Sequence, residues 1–196
     1  ALPAAFDDVL VHTSTSTKLN GILQEILEAV PDEKVLVFST LHQVLNELAK
    51  ALELCKVPFL FYVSGMPQHL RNTYVNAFAH KPQFRCLLMS TAIGGSGLDL
   101  HCASRIILAE PIWQWDLESQ AVKRAWRIGQ TRRVLVSTYV MRHTYEERLI
   151  ERKKARFLNG TDAAEQLQTL TDDPEMREFL ARPHLVQAPS KKREIT

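Results

Sequence analysis

The chain alternates between two hydrophobic periods, and that alternation limits its fold more than any other feature. Leu19, Ile22, Leu23, Ile26 and Leu27 recur at helical spacing, and Pro31 stops the pattern. Val35-Leu36-Val37-Phe38 follows as a short continuous apolar run, the mark of a strand buried on both faces. A second helical pattern runs through Val44, Leu45, Leu48, Leu52 and Leu54, and residues 58–63 read as the next strand. A helix over 68–79 is predicted to end before Pro82. Cys86-Leu87-Leu88-Met89 and Arg105-Ile106-Ile107-Leu108-Ala109 are two further buried strands. A helix over 116–127 is expected to break at Gly129, and residues 134–140 read as the last strand. Thr144 then caps a helix, with Glu147 three residues later as in a capping box. Strands alternating with helices predict an α/β fold, a parallel sheet with helices on both faces. Such folds take ligands at the carboxyl ends of their strands, which directs attention to the loops after Phe38, Met89 and Leu108.

At 196 residues the chain can bury a core without staples. Its net charge of +2 is too small to argue for nucleic acid by itself, so any such surface must come from local clustering. The three cysteines, Cys55, Cys86 and Cys102, show no C-x-x-C spacing, and no metal site is expected. His101-Cys102 reads as structural, since two adjacent residues chelate poorly. No apolar run is long enough to span a bilayer, and no membrane partner is expected. The start at Ala1, without Met, is expected of a piece of something longer. Beyond Gly160 the pattern weakens, with short helices expected over 162–170 and 175–181. Lys191-Lys192-Arg193 reads as a solvated basic tail.

The strongest chemical signal is Gln120-Ala121-Val122-Lys123-Arg124-Ala125-Trp126-Arg127-Ile128-Gly129-Gln130. On a continuous helix Gln120, Arg124 and Arg127 fall at i, i+4 and i+7, one face, expected beside the sheet's switch point. Such residues usually form a solvated basic face. A pair of guanidinium groups also suits a triphosphate, because each is planar, permanently charged and able to bind two oxygens. The second signal is a buried strand running into Ser90-Thr91-Ala92-Ile93-Gly94-Gly95-Ser96-Gly97-Leu98-Asp99. Glycines allow close backbone approach, and hydroxyl and N–H groups at a strand end can hold phosphate oxygens.

The first of these segments resembles motif VI of the superfamily-two helicases, in the variant of Swi/Snf-type remodelling and repair ATPases, Q-A-x-x-R-A-H-R-I-G-Q; Trp126 stands where His is usual. The second resembles motif V, S-T-x-x-G-G-x-G-x-N-L, with Asp99 for the frequent Asn and Ala92 for a common Arg or Lys. Lys34-Val35-Leu36-Val37-Phe38-Ser39-Thr40 resembles motif IV. Ser64-Gly65, Arg71 and Phe78 resemble the family's G-x(5)-R-x(6)-F segment. Glu110-Pro111-Ile112-Trp113 with Glu118-Ser119-Gln120-Ala121 is similar to P-x-W-N-P-x-x-E-x-Q-A, with Gln114-Trp115 in place of N-P. The likeness is collinear over residues 18–156.

This resemblance implies a lead-in over residues 1–17, a RecA-like helicase C-terminal lobe over 18–158, and a C-terminal helical extension with a basic tail over 159–196. It implies that Arg124 and Arg127 are arginine fingers and that Gln120, Gly97 and Asp99 face the nucleotide. It further implies that Ser39, Thr40, Ser64, Gly65, Ser90, Thr91 and Trp113 face DNA, although Trp113 serves equally well as packing. Phe78 is expected in the core and Arg71 in a structural ion pair. No G-x-x-x-x-G-K-[ST] is present, and Asp32-Glu33 precedes a strand instead of ending one. ATP and Mg2+ are thus expected on an N-terminal ATPase lobe absent from this sequence, leaving this chain inactive alone. The implied parent is a nuclear, DNA-stimulated ATPase that translocates on double-stranded DNA and displaces a nucleosome or other bound protein. A strand-separating helicase lobe and a non-catalytic DNA-binding scaffold are the alternatives.

Overall fold

The computed structural model describes residues 17–91 and 98–158. The glycine-rich turn with Ala92 and Gly97, the lead-in before Thr17 and the expected extension over 159–196 lie outside them. The chain divides into two compact units, Ala1–Val140 and Met141–Thr196.

The first unit runs α1 (Thr17–Ala29), β1 (Val35–Ser39), α2 (His42–Leu54), β2 (Phe59–Tyr62), α3 (Gln68–His80), β3 (Cys86–Ser90), β4 (Arg105–Leu108), α4 (Trp115–Lys123) and β5 (Leu135–Thr138). The five strands form one sheet in the order β2-β3-β1-β4-β5, every pairing parallel. The fold is RecA-like α/β. In β1 and β3 all five residues are buried, as continuous apolar runs covered on both faces require.

Strand alternation divides the core into two layers. Val35 and Val37 of β1, Leu88 of β3 and Ile107 of β4 pack with Ile22 and Ile26 of α1 and Leu45, Leu48 and Leu52 of α2. Leu36 and Phe38, Leu87 and Met89, and Ile106 and Leu108 point the other way, against Phe78 of α3 and Ala121 and Ala125 in and after α4. Each helix contributes one apolar stripe, which is why the 3.6-residue period was visible beside the strands.

Polar groups fasten the amino ends of the strands. Lys34, just before β1, donates to the carbonyls of Phe78 and Ala79, the latter at 3.1 Å, and lies 5.2 Å from the Phe78 ring centroid. A cation thus meets the negative end of α3. At β4, the Arg105 guanidinium bridges Glu25 of α1 (3.2 Å) and Glu33 (2.8 Å). At the carboxyl end of β5, the single Tyr139 O–H is shared between Glu25 (2.9 Å) and the Gly21 carbonyl (2.8 Å).

The hydrogen bond from Arg105 holds the Glu33 carboxyl below its ordinary 4.5, and the bond from Ser104 adds to this, against opposing desolvation. A depressed carboxylate contributes stability that is present above its ordinary value and lost as pH falls through the folded one. Between pH 4.5 and acid unfolding, Glu33→Gln is therefore expected to show a shallower fall of Tm than the parent chain. Parallel Tm–pH curves in that window would show that the pair contributes nothing.

In the second unit, α5 spans Tyr145–Leu158. Thr144 Oγ1 accepts the Glu146 N–H at 3.2 Å, as a cap should. Glu147 accepts the N–H of His143 at 2.8 Å, one residue before the position a capping box specifies. No described helix is long and apolar enough to cross a membrane.

Candidate functional site

Two groups of candidate residues emerge, and the direction of α4 separates them. A helix linking parallel strands must run antiparallel to them. Entered at the carboxyl end of β4, α4 therefore carries its own carboxyl end toward the amino ends of β1 and β4. Gln130 Nε2 donates to the carbonyls of His101 (2.9 Å) and Ala103 (2.7 Å), just before β4. Arg132 Nη1 donates to the Asp32 carbonyl, 3.0 Å, just before β1. Sequence patterning had set the arginine face beside the switch point at the carboxyl ends; the structure carries it away.

The helix also stops sooner than its spacing suggested. It ends at Lys123 with Arg124 as the cap. Beyond it the backbone tightens: Ala125 N–H bonds to Val122 O (3.1 Å), Arg127 N–H to Ala125 O (3.1 Å) and Gln130 N–H to Arg127 O (3.0 Å). Gly129 closes the segment at φ +104, a conformation costly for other residues. Arg127 consequently does not continue a regular helical stripe from Gln120, which is exposed on α4. Arg124 is half-buried, and burial lowers its guanidinium pKa from the usual value, opposed by Tyr62. It stays charged at neutral pH. Arg127 is exposed.

The Leu100 N–H donates to the Arg124 carbonyl at 3.0 Å, tying the end of the motif V-like segment to the arginines. Beside it, Asp99 Oδ1 lies 2.7 Å from His101 Nδ1. That bond, chiefly, holds the Asp99 carboxyl below its ordinary value against opposing desolvation, with the His101 N–H and the charges of His101 and Arg127 adding to it. Asp99, Arg124 and Arg127 therefore form one neighbourhood, with one carboxylate and two guanidinium groups. Gly97 lies outside the described residues.

The second group gathers at the carboxyl ends of the strands. Ser39 ends β1 and Thr40 follows it; Ser64 and Gly65 follow β2; Ser90 ends β3 and Thr91 follows; Trp113 follows β4. Thr40, Ser64 and Gly65 are exposed, and Gly65 turns at φ +83. His42 Nε2 lies 3.1 Å from Ser64 Oγ and joins the β1 and β2 loops. Ser39 and Ser90 are each 1% exposed and Thr91 is 8% exposed. Trp113 is partly buried. Arg71 lies over the Tyr62 ring, 5.8 Å from its centroid.

Glu110 organises this end, and sequence reasoning missed it. Only 6% exposed, its carboxylate accepts Ser39 Oγ (3.1 and 3.0 Å), Thr40 Oγ1 (2.8 Å) and the Thr40 N–H. A buried carboxylate is tolerable when so many donors surround it. The available signal was an acid directly after a buried strand, which a sequence cannot distinguish from a surface acid. Glu110→Ala leaves three donors without their acceptor and is expected to cost about 2 kcal/mol. Equilibrium urea unfolding checks it, and a cost below about 0.5 kcal/mol would contradict the network's role.

Among the described residues, no group of three or more His, Cys, Asp or Glu could hold a metal ion.

The helicase conserved C-terminal domain family matches residues 17–129. The DNA repair protein rad8 of Schizosaccharomyces pombe is 33% identical over 165 residues, 80% of this chain and 15% of that protein. The ATP-dependent helicase ULS1 of Saccharomyces cerevisiae is 31% identical over 147 residues, 72% of this chain and 9% of that protein. The crystal structure of the C-terminal part of the Fun30 ATPase domain superposes with a TM-score of 0.67 at 27% identity, over 72% of this chain and 47% of that one. The chain thus spans less than a sixth of these two curated relatives.

Proposed function

The chain belongs to the helicase conserved C-terminal domain family, as a RecA-like lobe of the Swi/Snf type, and on that footing we propose that it is the second motor lobe of a DNA-dependent ATPase. Arg124 and Arg127 reach a triphosphate held by the N-terminal lobe of the parent, with Gln120, Gly97 and Asp99 beside it. That lobe supplies the phosphate cradle and holds Mg2+. Thr40, Ser64, Gly65 and Thr91 grip the backbone of double-stranded DNA, with Trp113 at the edge of that surface and Ser39 and Ser90 shaping it from below. Closing and opening around ATP shifts one lobe's grip against the other's, which moves the parent along a duplex. The work done is remodelling of chromatin or displacement of another DNA-bound protein in the nucleus.

The observation that best supports this reading is the Leu100–Arg124 hydrogen bond. It draws Asp99 to the arginines and makes one anion-seeking neighbourhood, distinct from the strand-end hydroxyls. A lobe acting as a lever needs two such separated surfaces. Guanidinium groups neutralise charge developing in phosphoryl transfer, and neutral hydroxyl and N–H donors suit a backbone that must be gripped and released.

The chain alone is expected to bind duplex DNA weakly, with affinity falling steeply as salt rises, and to show no measurable ATPase. The full-length parent is expected to hydrolyse ATP faster with duplex DNA than without it, and to leave strands paired. ATP turnover without DNA stimulation would favour a scaffold that has lost its motor role, and unwinding of a forked duplex would favour a helicase. Turnover by the pure chain would refute the half-site reading.

A further inference from the structure

We infer that the cavity beside Trp126 and the edge of β5 form a docking site for an extended acidic peptide segment, adjoining the nucleotide surface through Arg127 and separate from the DNA surface. The cavity is open, with a volume of about 390 Å³. Trp126, Val134 and Val136 give it apolar walls; Arg127, Arg132 and Arg133 give it positive charge. Among the described residues no carboxylate lines it, although Asp99 and Glu33 lie near enough to feel the charges of Arg127 and Arg132. Arg132 is held by the Asp32 carbonyl, which leaves its charge uncompensated by that contact. Trp126 is 69% exposed, large for an aromatic of its size. It stands where the resembling family carries His, and the motor reading gives it no task.

The strand beside the cavity favours a polypeptide over other anions. Among the described residues β5 ends the sheet, paired with β4 alone. Leu135 N–H donates to Ser104 O (2.8 Å) and Tyr139 N–H to Leu108 O (3.0 Å). Odd-numbered residues of β5 therefore turn their backbone groups toward β4, and Val136 and Thr138 turn theirs outward. Side chains alternate as well: Ser137 and Tyr139 bond to Glu25 of α1, whereas Val134 and Val136 line the cavity on the opposite face. An added strand would meet outward N–H and C=O groups, set alternate apolar side chains on Val136 and Trp126, and bring carboxylates to the arginines. Valine walls suit aliphatic side chains better than bases. The site shares Arg127 with the motor reading, while Arg132, Arg133 and Val136 have no part in it.

The test uses a fluorescent twelve-residue peptide alternating aspartate with leucine and valine, and a counterpart with lysine for aspartate. Anisotropy is measured with the full chain, Arg133→Glu and Val136→Pro, each shown folded by circular dichroism. Proline at 136 removes an outward N–H and no bond to β4. The acidic peptide should bind the unchanged chain, and bind about tenfold more weakly to either variant; the lysine peptide should bind about tenfold more weakly throughout. Absence of binding at millimolar peptide, equal binding to all three proteins, or displacement by a ten-nucleotide thymidine strand that ignores Val136→Pro would overturn the inference. ATP turnover of the full-length parent carrying Arg133→Glu should match the unchanged parent, so failure here and failure of the motor reading are distinguishable.

Discussion

Replacing Arg127 by alanine in the full-length parent is expected to lower ATP turnover by about two to three orders of magnitude, with duplex affinity changed by less than about threefold. The size follows from the chemistry. Phosphoryl transfer spreads negative charge over the equatorial oxygens, and a guanidinium placed there acts in the transition state more than in the ground state. The selectivity follows from the fold. Arg127 lies near the amino ends of β1 and β4, in the segment anchored by Gln130 and Arg132, while the exposed hydroxyls of Thr40 and Ser64 lie at the carboxyl ends. Arg127 is exposed, so its truncation leaves no cavity. Steady-state ATPase kinetics and duplex binding at one salt concentration decide the matter. Equal loss of DNA binding with folding unchanged would remove the finger assignment.

Phe78→Ala is expected to cost about 3–5 kcal/mol of unfolding free energy, the largest stability effect proposed for this chain. Phe78 is fully buried in the layer between the sheet and helices α3 and α4. Its ring also faces the Lys34 ammonium, and its carbonyl accepts from it. Truncation opens a cavity under α3 and removes the aromatic face from a partly buried cation, whose pKa burial already lowers. Urea unfolding should show an earlier midpoint with an unchanged slope. A cost below about 1 kcal/mol would mean that the layer collapses around the gap.

What could be read in the sequence was whatever depends on local period. Val35-Leu36-Val37-Phe38 and Cys86-Leu87-Leu88-Met89 are two interior strands, apolar at every position because helices cover both faces. Phe78 is core, as expected. The end of α4 was not legible. Ala125, Trp126 and Arg127 have helical spacing and acceptable propensity, yet tertiary bonds decide the path there: Leu100 occupies the Arg124 carbonyl, and Gln130 reaches three carbonyls at once. Helix direction was a topological consequence of the parallel sheet, and it moved the arginines to the far end. Glu110 and the β5 edge depend on which side of the sheet is covered, which no local pattern records.

The most direct test of the two-lobe account is the structure of the full-length parent on duplex DNA with ADP and beryllium fluoride. The account predicts the guanidinium groups of Arg124 and Arg127 within hydrogen-bonding reach of the fluoride mimic of the γ-phosphate, with DNA phosphates at Thr40 and Gly65. Both arginines turned inward onto carboxylates of their own lobe, with the nucleotide enclosed by the other lobe alone, would contradict it.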